Sequence, residues 1–179
     1  MLNTITPIDN SIYVKREYST SDEIEKVLTL SKISSKKWKK VSLNERKKII
    51  TKFVDIFLKN RIEIEEELCR QMGRPISQCS GEMNGFEERA RYMIENADIA
   101  LENIISKKNN EFDNFITKDP LGIIFIIAPW NYPYNTSVNS IVPSLLSGNS
   151  VILKHSSQTP LCAEQLFKAA NLSGLPEGV

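Results

Sequence analysis

The sequence predicts an α/β chain in which amino-terminal helices lead into an incomplete parallel sheet. Three observations predict it. Over the first hundred residues, apolar side chains recur every three or four positions behind helix-capping sequences. At Gly122 the texture changes to a continuous isoleucine-rich run over residues 122–128, the pattern of a strand covered on both faces. A second run, Ser150–Lys154, follows a helical stripe and a short link, which implies a right-handed crossover and a parallel pair.

The elements follow in order. Thr20, Ser21, Asp22 and Glu23 form a capping box, in which a hydroxyl and a carboxylate satisfy backbone donors at a helix start. Ile24, Val27, Leu28 and then Trp38 supply the apolar positions behind it. A second box, from Ser42 to Glu45, precedes Ile49, Ile50, Phe53, Val54 and Phe57, a one-face spacing. A third helix carries Ile64 and Leu68 and meets Gly73 and Pro75, both stop signals. A long fourth helix is predicted from Met83, Phe86, Ala90, Met93, Ile94, Ala97, Leu101, Ile104 and Ile105. Residues 107–111 form a polar break, and residues 112–118 read as a short exposed strand that Asp119-Pro120 ends.

The strand at 122–128 presents Pro129, Trp130 and Asn131 at its carboxyl end. Val138, Ile141, Val142, Leu145 and Leu146 form the next helical stripe, which stops at Gly148. After Ser150–Lys154, Thr159 as cap and Pro160 in the first turn open another helix. Its Leu161, Leu166, Phe167 and Ala170 are expected to face inward, and Gly174 ends it. Residues 174–179 read as the turn into a third strand. Ligands of such sheets bind outside the carboxyl ends of the strands, so Asn131 and Lys154 are the first candidates for a site.

Composition removes several function classes. Hydrophobic residues at 41% and charged residues at 25% match a soluble globular domain. With 23 Lys+Arg against 22 Asp+Glu the chain carries no basic field for nucleic acid. Its lysine clusters, such as Lys36-Lys37 and Lys47-Lys48, read as solvated helix faces beside Glu65-Glu66-Glu67. The longest apolar run, residues 121–130, is far too short to span a bilayer, and the polar amino terminus does not resemble a secretory signal. Cys69, Cys79 and Cys162 are odd in number and widely spaced, so neither a metal site nor a disulfide framework is predicted, and a reducing cytoplasm fits best.

From Lys118 onward the sequence resembles the aldehyde dehydrogenase superfamily. The segments PLGIIFIIAPWNYP, IVPSLLSGNSVILKHSSQTPLCAEQL and GLPEGV stand in the family's order and spacing. Upstream, Gln71-Met72-Gly73-Arg74-Pro75 resembles the usual E-T-G-K-P segment. The likeness covers nearly the whole chain, most weakly over the first twenty residues, and LKHSSQTP is similar to the block of succinate-semialdehyde-type members. The resemblance implies an oxidoreductase with a Rossmann-like cofactor domain that oxidises an aldehyde to a carboxylic acid with NADP or NAD. Residues 1–111 would be the amino-terminal helical part of that domain, residues 112–120 a strand of an oligomerisation arm, and residues 121–179 an incomplete strand–helix–strand–helix dinucleotide-binding segment.

The resemblance also implies roles. Asn131 would be catalytic, its amide N–H donating to the oxyanion formed when a cysteine thiolate attacks the aldehyde, an interaction worth ~2.7–4 kcal/mol of barrier. The other reading is that Asn131 caps the helix starting near Pro133. Lys154 would bond the adenosine ribose hydroxyls. Three residues on, where a family glutamate repels a 2′-phosphate, stands the neutral Ser157, which implies tolerance of NADP. The alternative makes Lys154 a solvated side chain and Ser157 a cap of the next helix. Ile127 and Trp130 would line the cofactor groove and Ser156 would sit near the phosphates, although Trp130 also fits plain packing. His155 replaces a proline common in the family, and as a lone histidine it reads as structural.

No cysteine here matches the family nucleophile, and the general-base glutamate is also unmatched; members of the family run to well over twice this length. The expectation is an amino-terminal fragment without the catalytic domain, inactive alone, at best weakly folded and association-prone. Two further readings stand beside it: a non-enzymatic module that pairs with a full-length relative through residues 112–118, and a free-standing dinucleotide-binding protein; the resemblance also allows a homo-oligomer.

Overall fold

A computed structural model describes residues 1–108 and 112–179. Two short strands, β1 (Leu2–Ile5) and β2 (Ile12–Arg16), precede four helices: α1 (Ser21–Trp38), α2 (Leu43–Lys59), α3 (Arg61–Met72) and α4 (Ile76–Leu101). Strands β3 (Ile104–Lys108) and β4 (Asp113–Ile116) come next, followed by β5 (Ile123–Ile127), α5 (Pro133–Leu146), β6 (Ser150–Lys154) and α6 (Pro160–Ser173). Among the described residues the strands form three two-stranded sheets: β1–β2 and β3–β4 antiparallel, β5–β6 parallel. The order of helices followed by a parallel βαβα unit is the α/β class expected.

Local signals explain several boundaries. Thr20 accepts the Glu23 N–H and the Glu23 carboxylate accepts the Thr20 N–H, so the first capping box is complete. Ser42 takes the Glu45 N–H at the start of α2. Gly73 ends α3 with φ 74°, in the left-handed region, and the Pro7 ring packs so closely there that a Cβ would lie 2.8 Å from its Cγ.

Four expectations are corrected. The fourth helix stops at Leu101; Ile104 and Ile105 belong to β3, opposite Ile116 and Phe115 of β4. Both isoleucines are exposed, so no core holds them to a helical face, and Glu102 is already extended. Ile24, Val27 and Leu28 of α1 face outward, and the helix instead buries Ser31, Ser34, Ser35 and Trp38. Small hydroxyl side chains let it approach closely: Ser31 Oγ meets Ser150 Oγ at 2.8 Å, and Ser34 Oγ donates to the Glu177 carbonyl at 2.6 Å. Phe167 is likewise exposed rather than inward. Finally, β5 is not covered on both faces along its length. Ile126 is buried, but Phe125 is 60% and Ile127 69% exposed. The β1–β2 hairpin is an element that no sequence signal announced. The polar break at 107–111 falls mostly on residues outside the description, 109–111.

One core unites the helices: Phe53, Val54 and Phe57 of α2, Leu68 of α3, Met83 and Phe86 of α4, Tyr134 and Val138 of α5, Cys162 and Leu166 of α6. The Phe57 ring centre lies 4.5 Å from that of Phe86 and 5.1 Å from that of Tyr134, the latter edge-on. The inner face of the β5–β6 pair joins this core through Ile124, Ile126, Val151 and Leu153. Its outer face is covered at the start by α1 and opens toward the carboxyl ends of the strands.

Helix α5 crosses this core and is held at both ends by distant side chains. At its start the Glu82 carboxylate of α4 accepts the N–H groups of Tyr134 (2.8 Å) and Asn135 (3.3 Å). At its end Trp38 Nε1 donates to the Leu145 carbonyl at 3.0 Å, and Arg46 Nε donates to the Leu146 carbonyl at 2.9 Å. An anion at the amino end and a cation at the carboxyl end both complement the helix dipole.

Candidate active site at the carboxyl ends of the parallel strands

Strands β5 and β6 run in register from Ile123 opposite Ser150 to Ile127 opposite Lys154. The Ala128 N–H extends the pairing by donating to the Lys154 carbonyl at 3.1 Å. Ile127 and Lys154 therefore stand side by side at the open end of the sheet, both exposed. Trp130, 51% exposed, follows on the loop that carries Asn131. The second loop, after Lys154, carries Ser156 and Ser157. All six candidate residues thus come from the two strand ends or the loops that leave them.

The capping roles weighed for Asn131 and Ser157 are not the ones they fill, whereas an exposed Lys154 agrees with both of its readings. Asn131 does not cap α5: the cap position is Tyr132, no side chain of the loop bonds the first turn, and Glu82 does so from α4. Among the described residues the Asn131 carboxamide makes no hydrogen bond; only its backbone carbonyl does, accepting from Arg74 Nη2 at 2.6 Å. Ser157 does not cap α6, whose cap position is Thr159. Thr159 departs from expectation too, because its hydroxyl lies 3.2 Å from His155 Nδ1 instead of bonding a helix amide. The first turn of α6 is served by Gln71 of α3, whose Oε1 accepts the Leu161 N–H at 3.0 Å. Distant caps at both helices thus leave the Asn131 and Ser157 side chains free of local duties.

The second loop is fastened from outside. Thr4 of β1 donates through its hydroxyl to the Ser157 carbonyl at 2.8 Å, and Gln158 Nε2 donates to the carbonyls of Gln71 (2.8 Å) and Ile5 (3.3 Å). Ser156 Oγ accepts the Gln158 N–H at 3.2 Å. Arg16 of β2 adds a two-pronged bond to Glu164 of α6. The hairpin that the sequence concealed is the strap of this loop.

His155 is buried, and its Nδ1 accepts the Ser156 N–H at 2.9 Å. Burial pulls its pKa down to about 4, so the ring is neutral near pH 7. The thiols are no better placed for chemistry. Burial pushes Cys162 up to about 12 and Cys79 up to about 11, and Cys79 Sγ points at the Pro75 carbonyl, 3.6 Å away. Neither is an activated nucleophile. Among the described residues no group of three or more His, Cys, Asp and Glu side chains is arranged to hold a metal.

Two functional candidates escaped the sequence reading. The family-like segment around Arg74 attaches no role to it, and Glu82 lies in none of the motifs. A signal existed for Glu82: it is a carboxylate inside the apolar stripe Cys79, Met83, Phe86 and Ala90, a place where a charge is found only when partnered. An apolar cleft of ≈ 380 Å³ lies elsewhere, along the free edge of β6 between Val151, Leu153, Leu166, Phe167 and Leu175. There the turn at 174–179 comes back beside the strand, and the Val151 N–H donates to the Val179 carbonyl at 3.4 Å.

A parallel strand–helix–strand unit with free polar side chains at its strand ends defines the class of Rossmann-like α/β folds. The chain belongs to the aldehyde dehydrogenase family, whose sequence model matches residues 1–179. It is 28% identical over 174 residues to D-glyceraldehyde dehydrogenase (NADP(+)) of Thermoplasma acidophilum, covering 97% of this chain and 35% of that protein. The enzyme of the same name from Picrophilus torridus is 30% identical over 161 residues, 90% of this chain and 33% of the relative. Among solved structures, succinic semialdehyde dehydrogenase from Streptococcus pyogenes in complex with NADP+ superposes with a TM-score of 0.92 at 26% identity, over 99% of this chain and 39% of that one. The chain corresponds to the amino-terminal portion of the family and spans about a third of the length of the curated relatives it matches. Those relatives are NAD(P)-dependent aldehyde dehydrogenases. Among the described residues no helix is long and apolar enough to cross a membrane.

Proposed function

We propose that residues 1–179 are the cofactor-receiving part of an aldehyde-oxidising dehydrogenase that uses NADP or NAD. One observation carries this: Ile127 and Lys154 are register partners on the open face of the sheet, with the Asn131 and Ser157 side chains beside them unspent by capping.

The residues fit a dinucleotide. Phe125, Ile127 and Trp130 offer an exposed apolar wall of the kind an adenosine moiety covers. Lys154 has no ion-pair partner among the described residues and is available to ribose hydroxyls or a 2′-phosphate. Ser157 brings no negative charge, so a 2′-phosphate meets no like-charge repulsion there. Ser156 lies on the same loop, toward the phosphates. The bound nicotinamide supplies the hydride acceptor. Asn131 donates its amide N–H to the aldehyde oxygen as charge develops on it, a dipole set in place before the reaction. With Cys79 and Cys162 held protonated, we assign the attacking thiolate to neither of them.

In this reading residues 1–111 are the helical part of the cofactor domain and residues 121–179 its dinucleotide-binding segment, with residues 112–120 an arm for association. Exposed Ile104, Ile105, Phe115 and Ile116 on the β3–β4 hairpin support self-association or docking on a full-length relative. Three free cysteines support residence in the reducing cytoplasm.

Fluorescence tests the reading. Trp38 is 1% exposed, so quenching by a ligand reports on Trp130. Titration with NADP is expected to quench it saturably, whereas a flat signal at millimolar NADP and NAD would contradict the assignment. Adding an aldehyde to the polypeptide 1–179 with NADP is expected to give no NADPH, and steady formation would show that a thiol of this chain does act.

A further inference from the structure

We infer that Arg74 is a positioning residue for Asn131, a role that rests on the reading of Asn131 given above. Arg74 stands in the link between α3 and α4, where Gly73 turns the chain and the Pro75 carbonyl takes the Gln78 N–H. Its side chain is 11% exposed and meets three partners. One guanidinium nitrogen, Nη1, donates to the fully buried Glu82 carboxylate, and the other, Nη2, donates to the Asn131 carbonyl at 2.6 Å. The guanidinium also lies over the Tyr132 ring, 4.6 Å from its centre. Glu82 meanwhile holds the N–H groups of Tyr134 and Asn135. The backbone is therefore gripped at Asn131 and again at the first turn of α5, which leaves the Asn131 carboxamide only its own side-chain rotations.

A second consideration separates positioning from plain stabilisation. A buried ion pair is often no more stabilising than apolar side chains of the same volume, because both charges must leave water. What an apolar pair could not supply is the second prong of the planar fork, which reaches the Asn131 carbonyl while the first stays on Glu82. The pair is thus a bracket between α4 and the loop after β5.

The test is backbone ¹⁵N relaxation on the full chain without cofactor or substrate. In the double variant Arg74→Met/Glu82→Gln no buried charge is left unpaired, and the glutamine oxygen still accepts the Tyr134 and Asn135 N–H groups. The amides of Asn131 and Tyr132 are expected to fall from an order parameter of about 0.85 to below about 0.6, while Tyr134 and Asn135 stay rigid. Arg74→Lys keeps the charge opposite Glu82 but loses the fork, and is expected to loosen Asn131 while Tyr134 and Asn135 stay rigid. Wild-type order at Asn131 in the double variant would overturn the inference, as would a loss spread evenly over α4 and α5 in either variant. Because the readout needs no ligand, it stands apart from the oxyanion assignment, whose failure would appear separately when the chain is joined to a cysteine-bearing catalytic domain, as an NADP-dependent aldehyde oxidation that Asn131→Ala leaves unchanged.

Discussion

Glu82 accepts the N–H of Tyr134 at 2.8 Å from 52 positions earlier in the chain, and so begins helix α5 in place of any residue of its own loop. The other end of α5 is finished in the same way by Trp38 and Arg46, whose donors meet the Leu145 and Leu146 carbonyls. The helix that follows the Asn131 loop is therefore set by α1, α2 and α4, and the Asn131 side chain takes no part in capping it.

Arg46 gives the first prediction. It is 9% exposed and donates to the carbonyls of Leu146 and Val41. Arg46→Met keeps most of the volume and strands both acceptors. Urea denaturation should show a loss of roughly 1.5–3 kcal/mol, the range for a hydrogen bond from a charged group. A loss below about 0.5 kcal/mol would mean that water satisfies these carbonyls.

Ser157 gives the second. Its side chain is exposed and only its carbonyl is engaged, by Thr4. Ser157→Glu should leave the melting temperature unchanged but weaken NADP at least about tenfold relative to NAD, a difference of about 1.4 kcal/mol from like charges in close approach. Parallel titrations with the two dinucleotides measure it, and an unchanged ratio would remove Ser157 from the 2′-phosphate.

His155 makes stability depend on pH. Its pKa falls from 6.5 in the unfolded chain to about 4 in the folded one, because burial disfavours the charged ring. Between those values the unfolded state binds more protons, so stability declines as the pH drops from 6.5 toward 4 and is fully present above that window. The contribution is on the order of 3 kcal/mol at most. Chemical denaturation from pH 4 to 8 should show a slope that His155→Asn largely removes; equal slopes in both proteins would contradict the buried neutral ring.

The thiols should be quiet. Cys79 and Cys162 are buried with raised pKa values, and Cys69 is half-buried. A thiol reagent at pH 8 should label at most Cys69 rapidly in the native chain and all three cysteines after denaturation. Rapid native labelling of Cys162 would reopen the question of a nucleophile within these residues.

The fold was legible wherever a local rule governed it. The Thr20–Glu23 box, the stop at Gly73, the α2 stripe and the two parallel strands all follow from nearby residues. Tertiary packing decided the rest. Ile104 and Ile105 continue a helical spacing, yet a partner strand claims them. The apolar side chains of α1 would ordinarily mark its inner face, but serines make the close approach to β6. The candidate site was legible in its strand-end residues, because Asn131, Lys154 and Ser157 sit in a recognisable frame. Its supports were not, since Glu82, Gln71 and Thr4 act across the chain and no spacing within the loops refers to them.

The central claim is that a dinucleotide lies across the carboxyl ends of β5 and β6. Backbone amide shifts recorded during an NADP titration of the ¹⁵N-labelled chain test it most directly. Perturbations should centre on residues 127–131 and 154–158 and should weaken sharply in Lys154→Met. Shifts centred instead on the lysine face of α2 around Lys47, Lys48 and Lys52, with the strand ends silent, would contradict it.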